Sequence, residues 1–267
     1  MELRERALRV LCTADPAAKV RGAQGLATDC ASAPIAESAP RATLPLPGRP
    51  ERPELVHPAR VPRRSPATPD GLAALLHAIA HIEFNAINLA ADAVWRFDAM
   101  PREFYTEWAG VAAEEAYHFG LLREHLQSLG HDYGDFPAHD NLWSMCEKTA
   151  GDIVARMALV PRTLEARGLD ASPLIQQKLR QVGTPAALRA VDILGIILRD
   201  EVGHVAIGNH WYRWLCEQRG LDAQTHYDVL AARYQAPRLH APFNLEARQR
   251  AGFTAQELRR LVGDPLG

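Results

Sequence analysis

The sequence has little thiol chemistry, little net charge and no long apolar run. Its four cysteines, Cys12, Cys30, Cys146 and Cys216, form no Cys-x-x-Cys pair. That excludes a zinc knuckle and a dithiol redox motif, and fits a reduced, cytoplasmic chain. Thirty basic against 32 acidic residues leave a formal charge of −2, so there is no bulk positive field to drive non-specific nucleic-acid binding. No stretch of about 18 apolar residues is found. The N-terminus is charged and amphipathic rather than a basic tip followed by an apolar run, so neither an export signal nor a membrane span is expected. Alternating strand patterns are missing as well. What is present, in 267 residues with 47% hydrophobic and 23% charged composition, is enough apolar material for a substantial core.

Proline divides the chain. Ten of the 19 prolines fall between Pro34 and Pro69, and a residue that lacks the amide donor and pushes its predecessor out of helical conformation leaves no room for a helix there. Residues 31–68 are therefore expected to be an extended arm, with Leu44, Leu46, Leu55 and Val56 favouring its docking on the rest of the protein. Before it, residues 1–30 should hold two short helices, 3–12 and 15–27, the second opened by Asp15 and Pro16. After it, residues 69–220 carry the punctuation of four long helices. The first runs from Thr68-Pro69-Asp70 to Phe97 and the second from Pro101 to Gly130. The third spans 141–167 with an interruption at Pro161 and an end at Gly168. Ser172-Pro173 then opens a short connecting helix, and Thr184-Pro185 opens the fourth long one, which reaches Gly220. Residues 221–267 form a helical extension that includes the capping box Thr254-Ala-Gln-Glu257. The expected fold is all-α, a four-helix bundle with additions at both ends.

Ionisable residues interrupt the apolar stripe of each long helix. Glu83 lies in the row Leu76, Ile79, Ala86, Ala90, Val94; Glu115 and His118 lie in the row Phe104, Trp108, Val111, Leu122, Leu126; Glu165 follows Val154, Ala158 and Pro161; Glu201 and His204 lie among Leu194, Ile197, Gly208, Trp211 and Leu215. Residues three apart share a helix face, so each Glu-x-x-His pair points inward together. Bare charges on buried faces cost several kcal/mol each, whereas two divalent cations would balance four carboxylates and neutral imidazoles would complete the set. One Glu from each of two helices and a Glu-x-x-His from each of the other two is the arrangement of a dinuclear carboxylate site. Its oxygen-rich ligation suits iron or manganese. The tetrapeptide alone is weak evidence, since composition predicts about 0.7 matches and a third copy, Glu54 to His57, sits in the arm. Stripe membership and the order Glu, Glu-x-x-His, Glu, Glu-x-x-His give the pattern its weight.

With these residues in view, EEAYH at 114–118 and DEVGH at 200–204 resemble the paired metal motifs of the ferritin-like superfamily. Its members hold two iron ions, two manganese ions or one of each. HIEFNAINLAADAVWRF, LVPRTLEARG and RDEVGHVAIGNHWY resemble a bacterial family catalogued only as a ferritin-like domain of unknown function, which is distantly similar to a di-iron hydroxylase of a modified tRNA nucleoside. The resemblance implies a ferritin-like bundle and metal ligands at Glu83, Glu115, His118, Glu165, Glu201 and His204, with Glu147 or Asp152 as alternatives to Glu165.

Several neighbours admit two readings. Glu114 and Asp200 are either partners that orient a ligand histidine or solvated charges. Tyr117, Trp211 and Tyr212 are either redox aromatics near the metals or core. His77 and His81, the latter about 200° from Glu83 on the helix, should make hydrogen bonds off the metal face, on a polar side continued by Asn85, Asn88 and Asp92. The basic run from Arg60 to Arg64 is expected to be solvated or paired at the surface. Three functional classes remain open at this point. One is an O2- or peroxide-activating oxidase or hydroxylase, acting on a small molecule or modified nucleoside with an external electron donor. The others are a ferroxidase or metal-handling protein, and a non-catalytic helical interaction module.

Overall fold

The computed structural model describes residues 1–28, 30–62 and 64–263, and among them the protein is all-helical without a named strand. It divides into two compact units. The first comprises Met1–Trp143 with Leu179–Ile193, and the second Ser144–Lys178 with the chain from Leu194 onward.

The first unit is built on two long helices. α1 (Leu3–Cys12) and α2 (Pro16–Thr28) form the N-terminal pair, with Asp15 accepting from the Ala18 amide at the start of the second. α3 (Pro69–Arg96) begins where Thr68 accepts from the Gly71 amide, and α4 is Arg102–Ser128. These two pack against each other, while α1 lies on α3 and α2 on α4. α3 is long and apolar enough to cross a membrane, yet 72% of its apolar window is buried inside the protein, as in the core helix of a soluble protein.

That burial revises the expected polar side. His77, His81, Asn85, Asn88 and Asp92 are all buried, because the N-terminal pair and the 129–140 loop cover them. Asn88 accepts from the buried Lys19 ammonium, and Asp92 takes the Arg96 guanidinium at 2.6 Å. His77 Nε2 accepts from the Gly134 amide at 2.9 Å, and His81 Nδ1 lies 2.8 Å from the Tyr133 hydroxyl. The expectation of hydrogen bonding holds for both histidines.

The proline-rich arm is docked, by a different force from the one expected. Leu44 and Leu55 remain exposed. A proline-rich chain offers carbonyl acceptors and few donors, and side chains of the helices supply those donors. Trp95 Nε1 donates to Pro40 O at 2.7 Å, Arg4 donates to Ala36 O at 3.0 Å, and Arg102 to Ala33 O at 2.9 Å. At the far end of the arm, Leu55 pairs with Ala138 in an isolated parallel bridge. Of the basic run, Arg64 stacks 5.2 Å over the Phe136 ring, and Arg63 lies outside the described residues.

In the second unit the expected third helix is broken. α5 (Asn141–Lys148) ends, Asp152 caps α6 (Ile153–Leu159), and a π-helical turn, Val160–Glu165, leads into α7 (Ala166–Val182). The buried Arg156 donates to Thr149 Oγ1 at 2.9 Å and to the Cys146 carbonyl, closing the end of α5. Contrary to expectation, Gly168 ends no helix and Ser172-Pro173 starts none: α7 runs through both. Pro173 cannot donate to the Leu169 carbonyl four residues back, and the Asn244 side chain donates to it instead at 3.2 Å. α8 (Pro185–Gln218) is the longest helix. α9 (Ala223–Arg233), α10 (Leu245–Arg250) and α11 (Ala255–Leu261) complete the unit, the last with the Thr254/Glu257 capping box. Ala166, Leu169, Val202, Val205, Ala247 and Ala251 form an apolar cluster there.

If donors from the helices hold the arm, the double variant Trp95→Phe/Arg102→Ala should release it. Limited proteolysis between residues 31 and 60 should accelerate at least several-fold while helicity by circular dichroism is kept. Unchanged cleavage would mean that other contacts hold the arm.

Candidate metal centre

All six residues singled out from the helical stripes are buried: Glu83, Glu115, His118, Glu165, Glu201 and His204 are none of them more than 8% exposed. In the first unit, α3 supplies Glu83 and α4 supplies Glu115 and His118 from adjacent turns of one face. His118 Nδ1 lies 3.2 Å from Glu83 Oε2 and 3.6 Å from Glu115 Oε2. In the second unit, α8 supplies Glu201 and His204, whose Nδ1 is 3.4 Å from Glu201 Oε1. Glu165 stands at the end of the π-helical turn.

Glu83, Glu115, His118 and Glu201 form a buried group that could hold a metal ion. Glu165 and His204, although buried, are not members of that group. The donors are three carboxylates and one imidazole, a hard, oxygen-rich set suited to divalent iron or manganese. The electrostatics agree. Burial, then the neighbouring Glu115 carboxylate, pushes the Glu83 carboxyl well above the usual carboxylate range. Burial alone would depress His118, but Glu115 and Glu83 outweigh it and hold the imidazole far above its ordinary value. Both shifts mean that these side chains attract positive charge.

The other candidates fall differently. Asp152 is committed as the α6 cap and accepts from Tyr234, and Glu147 is exposed, which leaves Glu165 as the buried carboxylate of its segment. Glu114 is exposed, and the half-buried Asp200 takes the Arg199 guanidinium at 2.7 Å. Tyr117 is exposed, whereas Trp211 and Tyr212 are buried, the Tyr212 hydroxyl donating to Ala223 O at 2.6 Å. Sequence reasoning missed an aromatic cluster beside the α3 and α4 ligands. Tyr133 packs 5.1 Å from Phe84 and 5.0 Å from Phe119, the residues that follow Glu83 and His118. It also missed Arg162, buried in the π-helical turn and bonded to Asn209 and Glu257. An arginine three residues before a candidate ligand, on the same helical face, was the available signal for it.

The π-helical turn has a close neighbour. A Cβ added to Gly208 of α8 would sit 2.5 Å from Pro161 Cβ, so only glycine lets α8 approach the turn.

An all-helical protein with a buried Glu/His cluster able to hold a metal ion is the class these features define. The chain belongs to the family described as "Protein of unknown function (DUF455)", whose model matches residues 12–259. An uncharacterized protein of Haemophilus influenzae (strain ATCC 51907 / DSM 11121 / KW20 / Rd) is 55% identical over 216 residues, 78% of this chain and 74% of that protein. The match establishes the family and gives no evidence of ferritin-like superfamily membership. No solved structure matches the chain.

Two outcomes are expected. Gly208→Ala should cost about 1–3 kcal/mol by overpacking against Pro161, visible as a fall in Tm of several degrees. An unchanged Tm would mean that the turn yields freely. The second concerns His77, which burial drives down to about 4. Between about pH 6.5 and 4 the unfolded chain binds a proton there that the folded protein refuses, so stability falls on acidification by up to about 3 kcal/mol from this group. Urea unfolding of wild type and His77→Gln at pH 7 and 4.5 measures it. The variant should lose less on acidification, and parallel losses would refute the assignment.

Proposed function

We propose that this protein is a dinuclear carboxylate metalloprotein, holding two iron ions, two manganese ions or one of each, that oxidises or hydroxylates an organic substrate. The observation that carries the reading is the burial of every carboxylate and imidazole that interrupts the long-helix stripes, together with the Glu83, Glu115, His118 and Glu201 group. In this reading the helices take a ferritin-like arrangement. Glu83, Glu115, His118, Glu165, Glu201 and His204 hold the metals, and Glu114 and Asp200 support the ligand histidines from outside. The bound ions would supply activation of O2 or peroxide.

The protein's own contribution is a dry, rigid setting. Ala80, Ala112 and Leu122, fully buried on α3 and α4, exclude water from the neighbourhood of Glu83 and Glu115. His118 must give up its Nδ1 proton when a cation takes that nitrogen, and the facing carboxylates fix the ring's orientation beforehand. No cysteine-rich electron carrier is encoded, so electrons come from a separate donor or from the substrate. The substrate is a small molecule or a modified nucleoside, and the near-neutral charge speaks against a nucleic-acid polymer. The separated cysteines fit a cytoplasmic location.

Protein purified anaerobically after expression with both iron and manganese should contain about two such ions per chain and consume O2 when a reductant is supplied. Glu115→Ala and Glu201→Ala should each lose at least half of the metal while keeping their helicity. Absence of metal after anaerobic reconstitution, or metal content indifferent to both substitutions, would refute the proposal. Metal-loaded protein that oxidises Fe(II) but no organic compound would turn the reading to metal handling.

A further inference from the structure

The C-terminal segment takes no part in the metal reading, yet within the second unit it helps to enclose a cavity of about 420 Å³ lined by the π-helical turn, α9, the connection after α9, α10 and α11. That volume is at the small end of ligand sites, roughly 300–1,000 Å³. Four guanidinium groups line it, those of Arg162, Arg238, Arg248 and Arg260. Three have carboxylate partners: Arg162 pairs with Glu257, Arg248 with Asp170 at 2.6 Å, and Arg260 with Asp228 at 2.7 Å. Arg238 is exposed and has no ion-pair partner among the described residues. Glu257 is moreover shared with Arg213 at 3.1 Å, so the wall carries an excess of positive charge.

Arg162 adds a second feature. It is 5% exposed and its guanidinium is held between aromatic rings, 4.7 Å from the Phe253 centroid and 5.5 Å from that of Tyr227. Its terminal nitrogens are engaged by Asn209 and Glu257, but its buried Nε has no hydrogen-bond acceptor. A buried charged donor left unmet costs free energy, and an anion in the cavity is the ligand class that relieves it. Besides the paired carboxylates Asp228 and Glu257 and the amide of Gln224, the lining is apolar, with Leu239, Phe253 and Leu261 beside the Tyr227 ring. Tyr227 is fixed in place by the Thr163 hydroxyl at 2.9 Å.

We infer that this cavity binds a small organic monocarboxylate with an apolar body, its charge met by Arg238 and Arg162 and its body lying against Tyr227, Phe253 and Leu239. The carboxylate answers the positive excess of the wall, and the apolar body covers the rings and leucines beside it. A compact anion such as phosphate would leave the apolar surface wet. The inference does not rest on the metal reading, because none of the residues it uses is a proposed metal ligand.

Isothermal titration of the full chain with hexanoate, benzoate, 3-phenylpropionate and indole-3-acetate tests it, with 3-phenylpropan-1-ol and inorganic phosphate as comparators. At least one carboxylate should bind saturably at one per chain and at least ten-fold more tightly than either comparator. Arg238→Gln should weaken that binding about ten-fold, the value of one charge-assisted hydrogen bond. Ala231→Leu, which fills the cavity from α9 without altering charge, should abolish it. Both variants should keep the wild-type Tm. No saturable binding by any of the four acids would overturn the inference. So would equal binding of the alcohol, tighter binding of phosphate, or affinity unchanged in both well-folded variants.

Discussion

The structure is governed by the cost of burying ionisable groups inside a helical protein. Placing a carboxylate or imidazolium away from water costs several kcal/mol even after relaxation, and a whole domain of this kind is stable by only about 5–15 kcal/mol. Three glutamates and a histidine in one buried group that could hold a metal ion therefore call for compensating positive charge. The opposing tendencies of burial on the two residue types make this visible. Burial itself raises Glu83, whereas His118 is displaced upward against burial by the Glu115 and Glu83 carboxylates, so these carboxylates favour positive charge on the imidazole. A divalent ion compensates more of that negative charge than a proton does. It also leaves each ligand in the ionisation state that ligation requires, with carboxylates charged and imidazoles neutral.

The same constraint explains why so much of the chain is spent covering α3. A helix that carries ligands on one face and His77, His81, Asn85, Asn88 and Asp92 on another cannot leave either face half-wet without exposing its apolar remainder. The N-terminal pair contributes Lys19, which meets Asn88, and Arg4, which meets the Trp95 carbonyl at 2.9 Å and Asp98 where α3 ends, while the 129–140 loop meets His77 and His81. Burial presses Lys19 down to about 7, so even the covering layer is made of groups whose charge is under strain. The arm extends the cover through carbonyls met by tryptophan and arginine donors, and through its own amides, such as those of Ala39 on Asp98 at 3.0 Å and Gly48 on the Leu11 carbonyl at 2.8 Å.

Much of this was legible in the sequence because charge within an apolar stripe is a local signal. Glu83, Glu115, His118, Glu165, Glu201 and His204 could be selected from spacing, and all six are buried. Helix starts were equally legible where the cap is chemical, as at Thr68, Asp15 and Thr254. Partners brought from far along the chain were not. Gly168 and Ser172-Pro173 read as a stop and a start, and only the amide of Asn244, over 70 residues later, lets α7 pass through Pro173. The polar side of α3 read as hydrogen-bonding, yet its partners were out of reach of local pattern where they lie on α2 and the 129–140 loop. Local pattern reports which side chains must be satisfied. It does not report by whom.

The two prolines of the third segment show how far that dependence reaches. Pro161 and Pro173 each remove a donor from a helical stretch that frames Glu165, and the helix is kept by a side chain within it and by elements outside it. Thr163 Oγ1 donates to the Ala158 carbonyl at 2.8 Å, Gly208 allows α8 to close on Pro161, and Asn244 serves Leu169 while Arg248 of the same short helix holds Asp170. Arg162 then ties the turn to Asn209 on α8 and to Glu257 at the start of α11. The backbone position of Glu165 is consequently a property of α8 and the C-terminal helices as much as of its own segment. A π-helical turn is a costly conformation that persists where its surroundings over-determine it, and here the over-determining contacts come from α8 and from α11, which also lines the cationic cavity.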